Sequence, residues 1–576
     1  MKHVFLFCSF MIQITVSAQL LIKNVNVLDV ENKKILNGYD VLVMDGRITS
    51  IHKDKIYKLP AGTEVVDGTG KWLSPGFTDA HVHFFQTGGI YTRPDAIDLR
   101  KYQPHDKEIK FAHDNMESLL RRYMSAGITA VVDVGASFNF LLQRDSVILK
   151  PHSPIVSMTG PLLTTWLPQA YKDMGNEGPF ILMNSKEDAI KAVHEQLKYK
   201  ADFIKIWYIV LDSNVEAGAR KNFEMIKAAI EEAHRNNKRV AVHATERITA
   251  QLAVEAGADF LVHSVDDEIV TDDFVKLLKQ RKVVLCPTLV VSKNYTKVLS
   301  DNYHFTTYEL EHAHPFTIST IIDYPWPDTV IGKNYINRLL RRNLTGQPDH
   351  ADTVMAMNLK KLLDGGVIIA TGTDAGNIGT QHATSYFDEL YAMQAAGLNS
   401  WQLLQASTIN GAKAVGRDND WGSVTKNKLA NMVLLNANPL DSIANWKKIA
   451  LVINKGKPMR PDTVVRNDAL SLVQQQLNAY NAHDLEAFLA PYADDVEIFS
   501  TSGKPMMKGK EEMRKRYQFI TRTPDLYCRL INRIANGNTV IDHEEIWSSK
   551  QPVNLRYGVA IYVIEKGKIR RVYFND

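Results

Sequence analysis

The middle of the chain repeats one pattern eight times: a short apolar segment, then a stretch with the spacing of an amphipathic helix. Short apolar runs separated by helices are typical of parallel strands joined by crossover connections. Eight such steps predict a closed barrel, in which functional side chains gather at the carboxyl ends of the strands. The eight candidate strands are FTDAHVHF, AVVDVG, PIVSMTG, DFIKIWY, RVAVHA, DFLVHSV, VVLCPTL and VIIATGTDAG.

The length of 576 residues exceeds what one hydrophobic core usually supports, so two or more structural units are expected. The 45% hydrophobic and 23% charged residues are typical of a globular protein and exclude disordered, collagen-like and disulfide-scaffold classes. The formal net charge of +4, without a long basic run, gives no reason to expect a nucleic-acid partner. Cys286 and Cys528 are predicted to be buried small apolar residues.

Residues 1–18 have the pattern of a secretory signal peptide. A lysine at position 2 precedes an apolar core from Val4 to Val16. Val16-Ser17-Ala18 then provides the small residues that precede a cleavage site. The apolar stretch is too short to span a bilayer, and no other segment approaches the required length. The alternative is a buried N-terminal strand or helix. We therefore expect a mature protein that begins near Gln19 and is periplasmic or secreted.

Both flanks of the central region have a β pattern. Short alternating apolar runs separated by Gly and Asp turns occur at 19–75 and again at about 420–460. From residue 468 the pattern changes to two helices, the strand DVEIFS, a short helix and long alternating segments, with NGN and EKGK as predicted hairpin turns. Residues 468–576 are therefore predicted to form a separate α+β domain with a curved antiparallel sheet, after the linker MRPDTVVRND.

A long insertion, about Val291 to Leu359, separates the last two candidate strands and is rich in aromatic and polar residues. An insertion at this point can lie over the mouth of the barrel as a lid. A helical elaboration packed on the barrel wall is an equal alternative. Its histidines His304, His312 and His314 are expected to be solvated rather than to bind metal.

Side chains of the types that bind metals lie at the ends of the candidate strands. His81 and His83 are two residues apart, so both imidazoles project from one face of a strand. A single histidine at a strand end is usually structural, but four histidines with an acid and a lysine, all at the same end of the barrel, are not explained that way. Nitrogen and oxygen ligands of this kind suit Zn²⁺ or another divalent transition metal. The predicted metal ligands are His81, His83, His243, His263 and Asp374, and Lys205 is placed at the same end of the barrel.

The order of these motifs resembles the metal-dependent amidohydrolase superfamily, in its imidazolonepropionase-like and prolidase-like branch. The matching segments are SPGFTDAHVH, ADFIKIW, VAVHA, FLVHS and TGTDAG, followed by LLQASTINGAKAVG and ANMVLLNANPL. The resemblance covers about 19–460. It implies an α/β fold: a (β/α)8 TIM barrel at 76–419 carrying a small composite β-sandwich built from 19–75 and 420–460.

The resemblance also implies how the metal site is shared between two ions. His81 and His83 resemble ligands of the more buried metal, and His243 and His263 resemble ligands of a second one. Asp374 resembles the acid that binds metal and handles the proton. Two zinc ions are the expected cofactors.

Lys205 matches the lysine that members of the superfamily carbamylate with CO₂. A carbamate presents two oxygens and can therefore bridge two cations. Burial beside cations would depress the pKa of the lysine and favour the neutral amine that the reaction needs. Some relatives bind one metal and lack a bridging lysine, and a charged lysine paired with an acid is the alternative here.

The expected activity is hydrolysis by metal-activated water of an amide-type C–N bond in a small substrate, with Asp374 as general base and then general acid. Candidate substrates are dipeptides such as Xaa-Pro, N-acyl amino acids and cyclic amides. Tyr208 and His382 are candidate substrate contacts, with a plain loop position as the alternative for each. The alternative functions are a non-catalytic ligand-binding protein with a retained barrel and an imidazolonepropionase-type cyclic amide hydrolase.

Residues 468–576 resemble the nuclear-transport-factor-2-like fold, which includes SnoaL-like members. That fold has a conical pocket and commonly pairs through its sheet, so substrate capture or a homo-oligomer formed through this domain is expected. Asp495, His543 and Glu545 are candidates to line the pocket, but surface or packing positions are the favoured interpretation for each. The fold alone does not define a function.

Overall fold

A computed structural model of the chain describes residues 19–53, 57–323, 350–548 and 555–575, together with 330, 332–334 and 337. The predicted signal peptide, residues 1–18, lies outside the described residues. The chain begins with five strands: β1 Leu20–Asp29, β2 Lys34–Met44, β3 Arg47–Lys53, β4 Glu64–Asp67 and β5 Trp72–Pro75.

The central region is a parallel barrel, and each of the eight predicted strands is confirmed. Its strands are β6 Phe77–Val82, β7 Ile128–Asp133, β8 Ile155–Met158, β9 Leu162–Thr164, β10 Phe180–Leu182, β11 Ile204–Trp207, β12 Val240–His243, β13 Phe260–Val262, β14 Val284–Cys286 and β15 Ile368–Ile369. They form the parallel orders β6-β7-β8 and β10-β9-β11-β12-β13-β14-β15.

The barrel closes through two continuations of these strands. β9 follows β8 after three residues, so together they connect β7 on one side with β11 on the other. On the opposite side, the segment after β15 pairs with β6: the Ala80 amide donates to the Thr371 carbonyl at 2.9 Å and the Asp374 amide donates to the His81 carbonyl at 2.7 Å. The segment that follows the last barrel strand, β15, therefore lies beside the first barrel strand, β6.

Helices connect the barrel strands, and polar caps define where many of them begin. The side chains of Ser137, Ser185, Asn214 and Thr271 each accept a hydrogen bond from the backbone amide three residues on, which satisfies a free donor of the first turn. The helices of this region are His105–Ser125, Phe138–Val147, Lys186–Lys198, Val215–Arg235, Arg247–Ala256, Asp272–Arg281, Val291–Leu299, Thr307–His312, Pro315–Ile322, His350–Asp364, Ser385–Ala395, Ser400–Ala406 and Ile409–Ala414.

Strands from both flanks of the barrel share one eight-stranded sheet. The later strands are β16 Met432–Leu435, β17 Ile449–Asn454 and β18 Lys457–Met459. The sheet has the order β18-β17-β16-β5-β1-β2-β3, with β4 also paired to β1. Antiparallel pairing of β16 with β5 joins segments that are more than 350 residues apart in the chain. Since β5 leads directly into β6, this sheet anchors the strand that carries His81.

The C-terminal region combines helices with a six-stranded sheet in the order β20-β19-β24-β23-β22-β21. Its helices are Pro461–Val464, Ala469–Asn481, Leu485–Leu489, Lys510–Arg516 and Phe519–Arg522, and its strands are β19 Tyr492–Ser500, β20 Pro505–Lys508, β21 Tyr527–Asn536, β22 Thr539–Trp547, β23 Arg556–Glu565 and β24 Lys568–Phe574. Two-residue turns join β21 to β22 and β23 to β24, as predicted.

The predicted antiparallel pairing is confirmed for four of the five strand pairs, whereas β19 pairs with β24 in parallel. A long connection containing four other strands separates β19 from β24, which leaves the chain free to return in the same direction.

The described part of the insertion is helical and contacts two neighbours. Ile321 belongs to an apolar cluster with Ile90 and Ile97, in the loop after β6. Ile318 packs in the core of the C-terminal domain, together with Leu472. This part of the insertion therefore connects the mouth of the barrel with the C-terminal domain.

Three further expectations can be compared with the structure. His314 is buried and its Nε2 lies 3.0 Å from Asn115 Oδ1, so the prediction that it is solvated is wrong. Cys286 and Cys528 are buried free thiols, as predicted. Among the described helices, none is both long and apolar enough to cross a membrane.

Candidate metal centre

The barrel brings its strand ends together as parallel pairing requires. His81 lies on β6 and His83 follows it directly, while Lys205 lies on β11 and His243 ends β12. In the register of these strands Trp207 is opposite His243, and His243 is opposite Val262, the residue before His263. The side chains therefore meet because neighbouring parallel strands end at the same level.

Three of the predicted ligand atoms form a small triangle. His81 Nε2 lies 3.1 Å from Asp374 Oδ1, His83 Nε2 lies 3.2 Å from the same oxygen, and the two nitrogens are 3.3 Å apart. All three side chains are buried or nearly so. Ligands held about 2.1 Å from one ion are themselves separated by about 3.0–3.4 Å in octahedral or tetrahedral geometry. The triangle thus has the dimensions of part of a metal coordination shell.

The other two histidines extend this cluster. The His263 ring is centred 4.9 Å from the His81 ring and 4.4 Å from the His243 ring. His263 Nε2 lies 4.0 Å from Asp374 Oδ2, the oxygen that His81 and His83 do not contact. Ligand atoms of His81, His263 and Asp374 lie within 4.8 Å of one another. One carboxylate therefore stands between two groups of imidazoles.

Contacts behind the imidazoles set their orientation. His83 Nδ1 lies 2.8 Å from the Gly135 carbonyl, which can only accept, so Nδ1 carries the proton and Nε2 presents its lone pair to the cluster. His263 Nδ1 lies 2.7 Å from Thr288 Oγ1. Among the residues that the structure describes, none forms a hydrogen bond with His81 Nδ1.

The Asp374 carboxylate is held by its own loop. Asn377 Nδ2 donates to Asp374 Oδ1 at 2.7 Å and to the Asp374 carbonyl at 3.0 Å. Asn377 Oδ1 in turn accepts hydrogen bonds from Tyr295 and Arg93, and Arg93 pairs with Asp95. The orientation of the carboxylate is therefore connected to the loop after β6 and to the insertion.

The backbone is strained at this site. Asp374, His263 and Thr288 have φ values of 60°, 78° and 48°, in the left-handed region that non-glycine residues seldom adopt. Such conformations persist where the surrounding structure enforces them, and they concentrate at functional sites. Here His263 and Asp374 belong to the cluster themselves, and Thr288 supports it through its contact with His263.

Burial favours the neutral form of His81, His243 and His263, whereas contacts with imidazoles favour the ionised form of Asp374. Burial lowers the pKa of His81 to about 4 and lowers the pKa values of His243 and His263 well below their ordinary range. Burial alone would raise the pKa of Asp374, but its close contacts with His81 and His83 outweigh burial and hold this pKa well below its usual range. Neutral imidazoles with a carboxylate anion are the protonation states that metal binding requires.

Lys205 is 1% exposed and lies among these groups. Burial lowers the pKa of its amine to about 7, although the charges of Asp374, Cys286 and Asp133 act in the opposite direction. The amine is thus far less basic than an exposed lysine.

The two candidate substrate-binding side chains, His382 and Tyr208, form hydrogen bonds within the protein. The His382 ring nitrogens lie 2.9 Å from the Tyr123 hydroxyl and 2.9 Å from the Gln86 carbonyl, and the ring stacks on Phe84. Tyr208 is buried, and its hydroxyl donates to the Ala219 carbonyl at 2.5 Å. Both side chains therefore fill structural roles in the barrel.

Sequence reasoning missed two buried acids that shape the ligand loops. Asp79 accepts hydrogen bonds from the amide and hydroxyl of Thr373 at 3.0 and 2.8 Å. Asp133 accepts from the amides of Phe84 and Gly135 at 3.0 Å each. A charged residue inside an otherwise apolar strand, as in FTDAHV and AVVDVG, is the signal that would have indicated both.

The residues present fit a divalent metal. Imidazole nitrogens and a carboxylate are suitable ligands for zinc and its neighbours, and the buried triangle has the required spacing. His81, His83, His243, His263 and Asp374 would hold the metal, and Lys205 is the further candidate ligand.

A model of the amidohydrolase family matches residues 72–459, which is more than half of the chain. This chain therefore belongs to the amidohydrolase family, whose members are hydrolases that act on C–N bonds and generally depend on metals. A model of the SnoaL-like domain matches residues 473–572.

Two solved structures illustrate the likeness in fold. One is a Xaa-Pro dipeptidase with bound methionine in its active site: it is 20% identical, the match covers 77% of this chain and 100% of that one, and the TM-score is 0.57. The other is phenylurea hydrolase B: it is 17% identical, with 77% and 97% covered and a TM-score of 0.59. Identities this low show the fold alone.

Curated relatives match only a short segment. A dihydroorotase of Sulfurihydrogenibium sp. is 40% identical over 72 residues, which is 12% of this chain. The chain spans 16% of the length of that relative. The family is therefore established by the model match rather than by one relative.

Proposed function

We propose that the chain is an exported, metal-dependent hydrolase that cleaves an amide-type C–N bond in a small substrate. A dipeptide such as Xaa-Pro, an N-acyl amino acid or a cyclic amide is the proposed substrate class. The observation that carries the proposal is the buried triangle of His81 Nε2, His83 Nε2 and Asp374 Oδ1, with edges of 3.1–3.3 Å. The likeness in fold to a Xaa-Pro dipeptidase supports the substrate class.

The proposed cofactors are two zinc ions, held by the four histidines and Asp374. A bound divalent metal supplies a water of lowered pKa and polarises the substrate carbonyl. We propose in addition that Lys205 becomes a carbamate: its nitrogen bonds to the carbon of CO₂ and releases one proton. The burial of Lys205, which is 1% exposed, supports this modification.

The proposed role of Asp374 is to move the proton. Its carboxylate would accept a proton from the attacking water and deliver it to the leaving nitrogen, acting first as general base and then as general acid. Asn377 fixes the carboxylate for this role by donating to Oδ1 at 2.7 Å. The buried surroundings exclude bulk water, which strengthens each of these interactions.

Export rests on residues 1–18 alone. The test is fractionation of cells that express the full chain, followed by N-terminal sequencing. A mature form that begins near Gln19 in the periplasm or medium supports the proposal, and an uncleaved cytoplasmic chain contradicts it.

The activity is tested by elemental analysis of the purified protein and by hydrolysis assays over dipeptide and N-acyl amino-acid libraries. We expect His243→Ala to lose bound metal and turnover while keeping its circular dichroism spectrum. His304→Ala removes an exposed histidine of the insertion and serves as the matched control, with both properties retained. Unchanged turnover in His243→Ala would reject the assignment.

A further inference from the structure

Three aromatic side chains form a group beside the candidate metal centre. Trp207 ends β11, Phe180 begins β10, and Trp166 follows β9 in the chain. The ring centroids of Trp207 and His243 are 6.0 Å apart, and the two rings meet at 71°, edge to face. The rings of Trp166, Phe180 and Trp207, here called the aromatic wall, therefore adjoin one of the proposed metal ligands.

The register of the strands explains why Trp207 faces the centre. Lys205 and Trp207 are two residues apart on β11, so their side chains project from the same face of the strand. Trp207 is also the residue paired with His243 on the neighbouring strand, β12. Since a strand rises about 3.3 Å per residue, Trp207 lies roughly 7 Å nearer to the mouth of the barrel than Lys205. A substrate that enters from the mouth therefore passes this ring before it reaches the ligands.

The three rings contact one another and remain partly exposed. The centroids of Phe180 and Trp207 are 4.9 Å apart and those of Trp166 and Trp207 are 5.7 Å apart, with the ring planes tilted by 35° and 37°. Each of the three residues is of intermediate burial. Within the described part of the chain, none of them belongs to the apolar clusters that form the core of the barrel. Adjoining apolar groups that remain accessible are typical of a binding surface.

The size and chemistry of the aromatic wall favour an aromatic occupant. A large aromatic ring buries about 150–250 Å² when it is fully covered, of which a methyl group covers only a small part. The wall has no charged member, so a charged side chain would lose hydration there without gaining an ion pair. A flat ring gains from burial and, in addition, from offset or edge-to-face contacts with its neighbours.

We propose that the aromatic wall sets the specificity of the proposed hydrolase, by binding an aromatic side chain that the substrate carries next to its scissile C–N bond. This inference rests on the proposed function, because it names the substrate of the same site. With the scissile carbonyl at the metal ligands, a ring attached close to it lies against Trp207. Phe180 and Trp166 extend the contact, and Trp207 is the main specificity-determining residue.

The test compares two matched probes on the full-length protein loaded with zinc. Acetohydroxamic acid and phenylacetohydroxamic acid share the oxygens that bind a divalent metal, and only the second places a phenyl ring beside it. Binding is measured by isothermal titration calorimetry, which does not depend on turnover. We expect phenylacetohydroxamic acid to bind about tenfold or more tighter, because burial of a phenyl group accounts for at least that ratio.

Variants of the wall locate the phenyl group. Trp207→Ala is expected to bind the two hydroxamates equally, whereas Trp207→Phe, which keeps a ring, retains most of the preference. Trp401→Ala is the matched control, since Trp401 is a partly buried tryptophan packed on the core of the barrel, and it is expected to keep the wild-type preference. Elemental analysis and circular dichroism check that each variant is folded and holds metal. If Trp207→Ala loses metal, Trp166→Ala decides, and it is expected to narrow the difference between the probes.

Hydrolysis provides a second measurement. The substrate pairs are Phe-Pro with Ala-Pro and N-acetylphenylalanine with N-acetylalanine, so the ring is placed on either side of the scissile bond. We expect kcat/KM to be about tenfold or more higher for the phenylalanine member of at least one pair, and this advantage to be lost in Trp207→Ala. If neither pair is hydrolysed, the hydroxamates decide.

The outcomes separate this inference from the proposed function. Equal affinity of the two hydroxamates for the zinc-loaded wild-type chain overturns the inference and leaves the proposed hydrolysis standing. An undiminished preference in Trp207→Ala with full metal content does the same, because the phenyl group then lies elsewhere. A folded wild-type chain that takes up no metal and binds neither hydroxamate contradicts the proposed function and this inference together.

Discussion

Gly372, in the segment TGTDAG, is packed so closely that one added methyl group would displace its neighbours. A Cβ at this position would lie 2.5 Å from Cys286 Sγ, 2.6 Å from the His81 backbone nitrogen and 2.9 Å from His81 Cβ. Favourable contact begins at about 3.5 Å, so in Gly372→Ala the backbone at His81 has to move by roughly 1 Å.

This movement displaces a predicted metal ligand. A misplacement of about 1 Å can lower the rate by about 10²-fold, and overpacking of this kind costs about 1–3 kcal/mol of stability. We therefore expect Gly372→Ala to retain less metal after dialysis, to turn over substrate about a hundredfold more slowly and to unfold at a lower temperature. Elemental analysis, hydrolysis assays and calorimetry measure these three effects.

Gly558→Ala is the matched control, since its new Cβ would meet only Asn575 Oδ1 at 3.8 Å, an ordinary contact. Wild-type metal content and stability in Gly372→Ala would contradict this prediction, because they would mean that the two strands separate without moving His81.

Three other predictions follow from buried polar contacts. Thr288→Val removes the hydroxyl that lies 2.7 Å from Nδ1 of His263, a proposed metal ligand, and should weaken metal binding by about 10–100-fold in competition titrations, whereas Thr288→Ser should keep the wild-type affinity. Arg533→Ala leaves Asp542 buried and unpaired, so it should destabilise the C-terminal domain by about 3–5 kcal/mol in calorimetry, against about 0–1 kcal/mol for Arg571→Ala in an exposed pair. Burial raises the pKa of Glu389 from 4.5 to about 8, so the unfolded chain loses this proton first and stability should fall as the pH rises between those values; thermal unfolding at pH 5 and pH 8 should show a smaller difference in Glu389→Gln.

The barrel and its ligand positions were predictable because local patterns define them. The spacing of His81 and His83 requires a shared strand face, and the eight alternations of strand and helix require parallel pairing with all carboxyl ends on one side. The residues that hold the ligands were not predictable in the same way. Thr288 and Asn377 act through loop conformations, and at Thr288 the left-handed φ of 48° has no sequence signal.

The cavity between the helices and the sheet of the C-terminal domain shows a different limit. His543 and Glu545 were the candidates on β22, but the structure directs the residue between them, Glu544, into the cavity. The run DHEE contains four consecutive polar residues, Asp542 to Glu545, and therefore leaves the alternation of faces undefined. Tyr562, on the neighbouring strand β23, connects Glu544 to the helix Ala469–Asn481: its hydroxyl accepts from Gln476 at 3.1 Å and donates to Glu544 at 3.4 Å.

The most direct test of the metal centre is anomalous X-ray diffraction at the zinc absorption edge, on crystals of protein purified without chelators. The account predicts a strong anomalous peak within bonding distance of His81 Nε2, His83 Nε2 and Asp374 Oδ1, and its disappearance in His83→Ala. A well-ordered wild-type crystal with no anomalous peak there, from protein that elemental analysis finds free of divalent metal yet that hydrolyses its substrate, would contradict it.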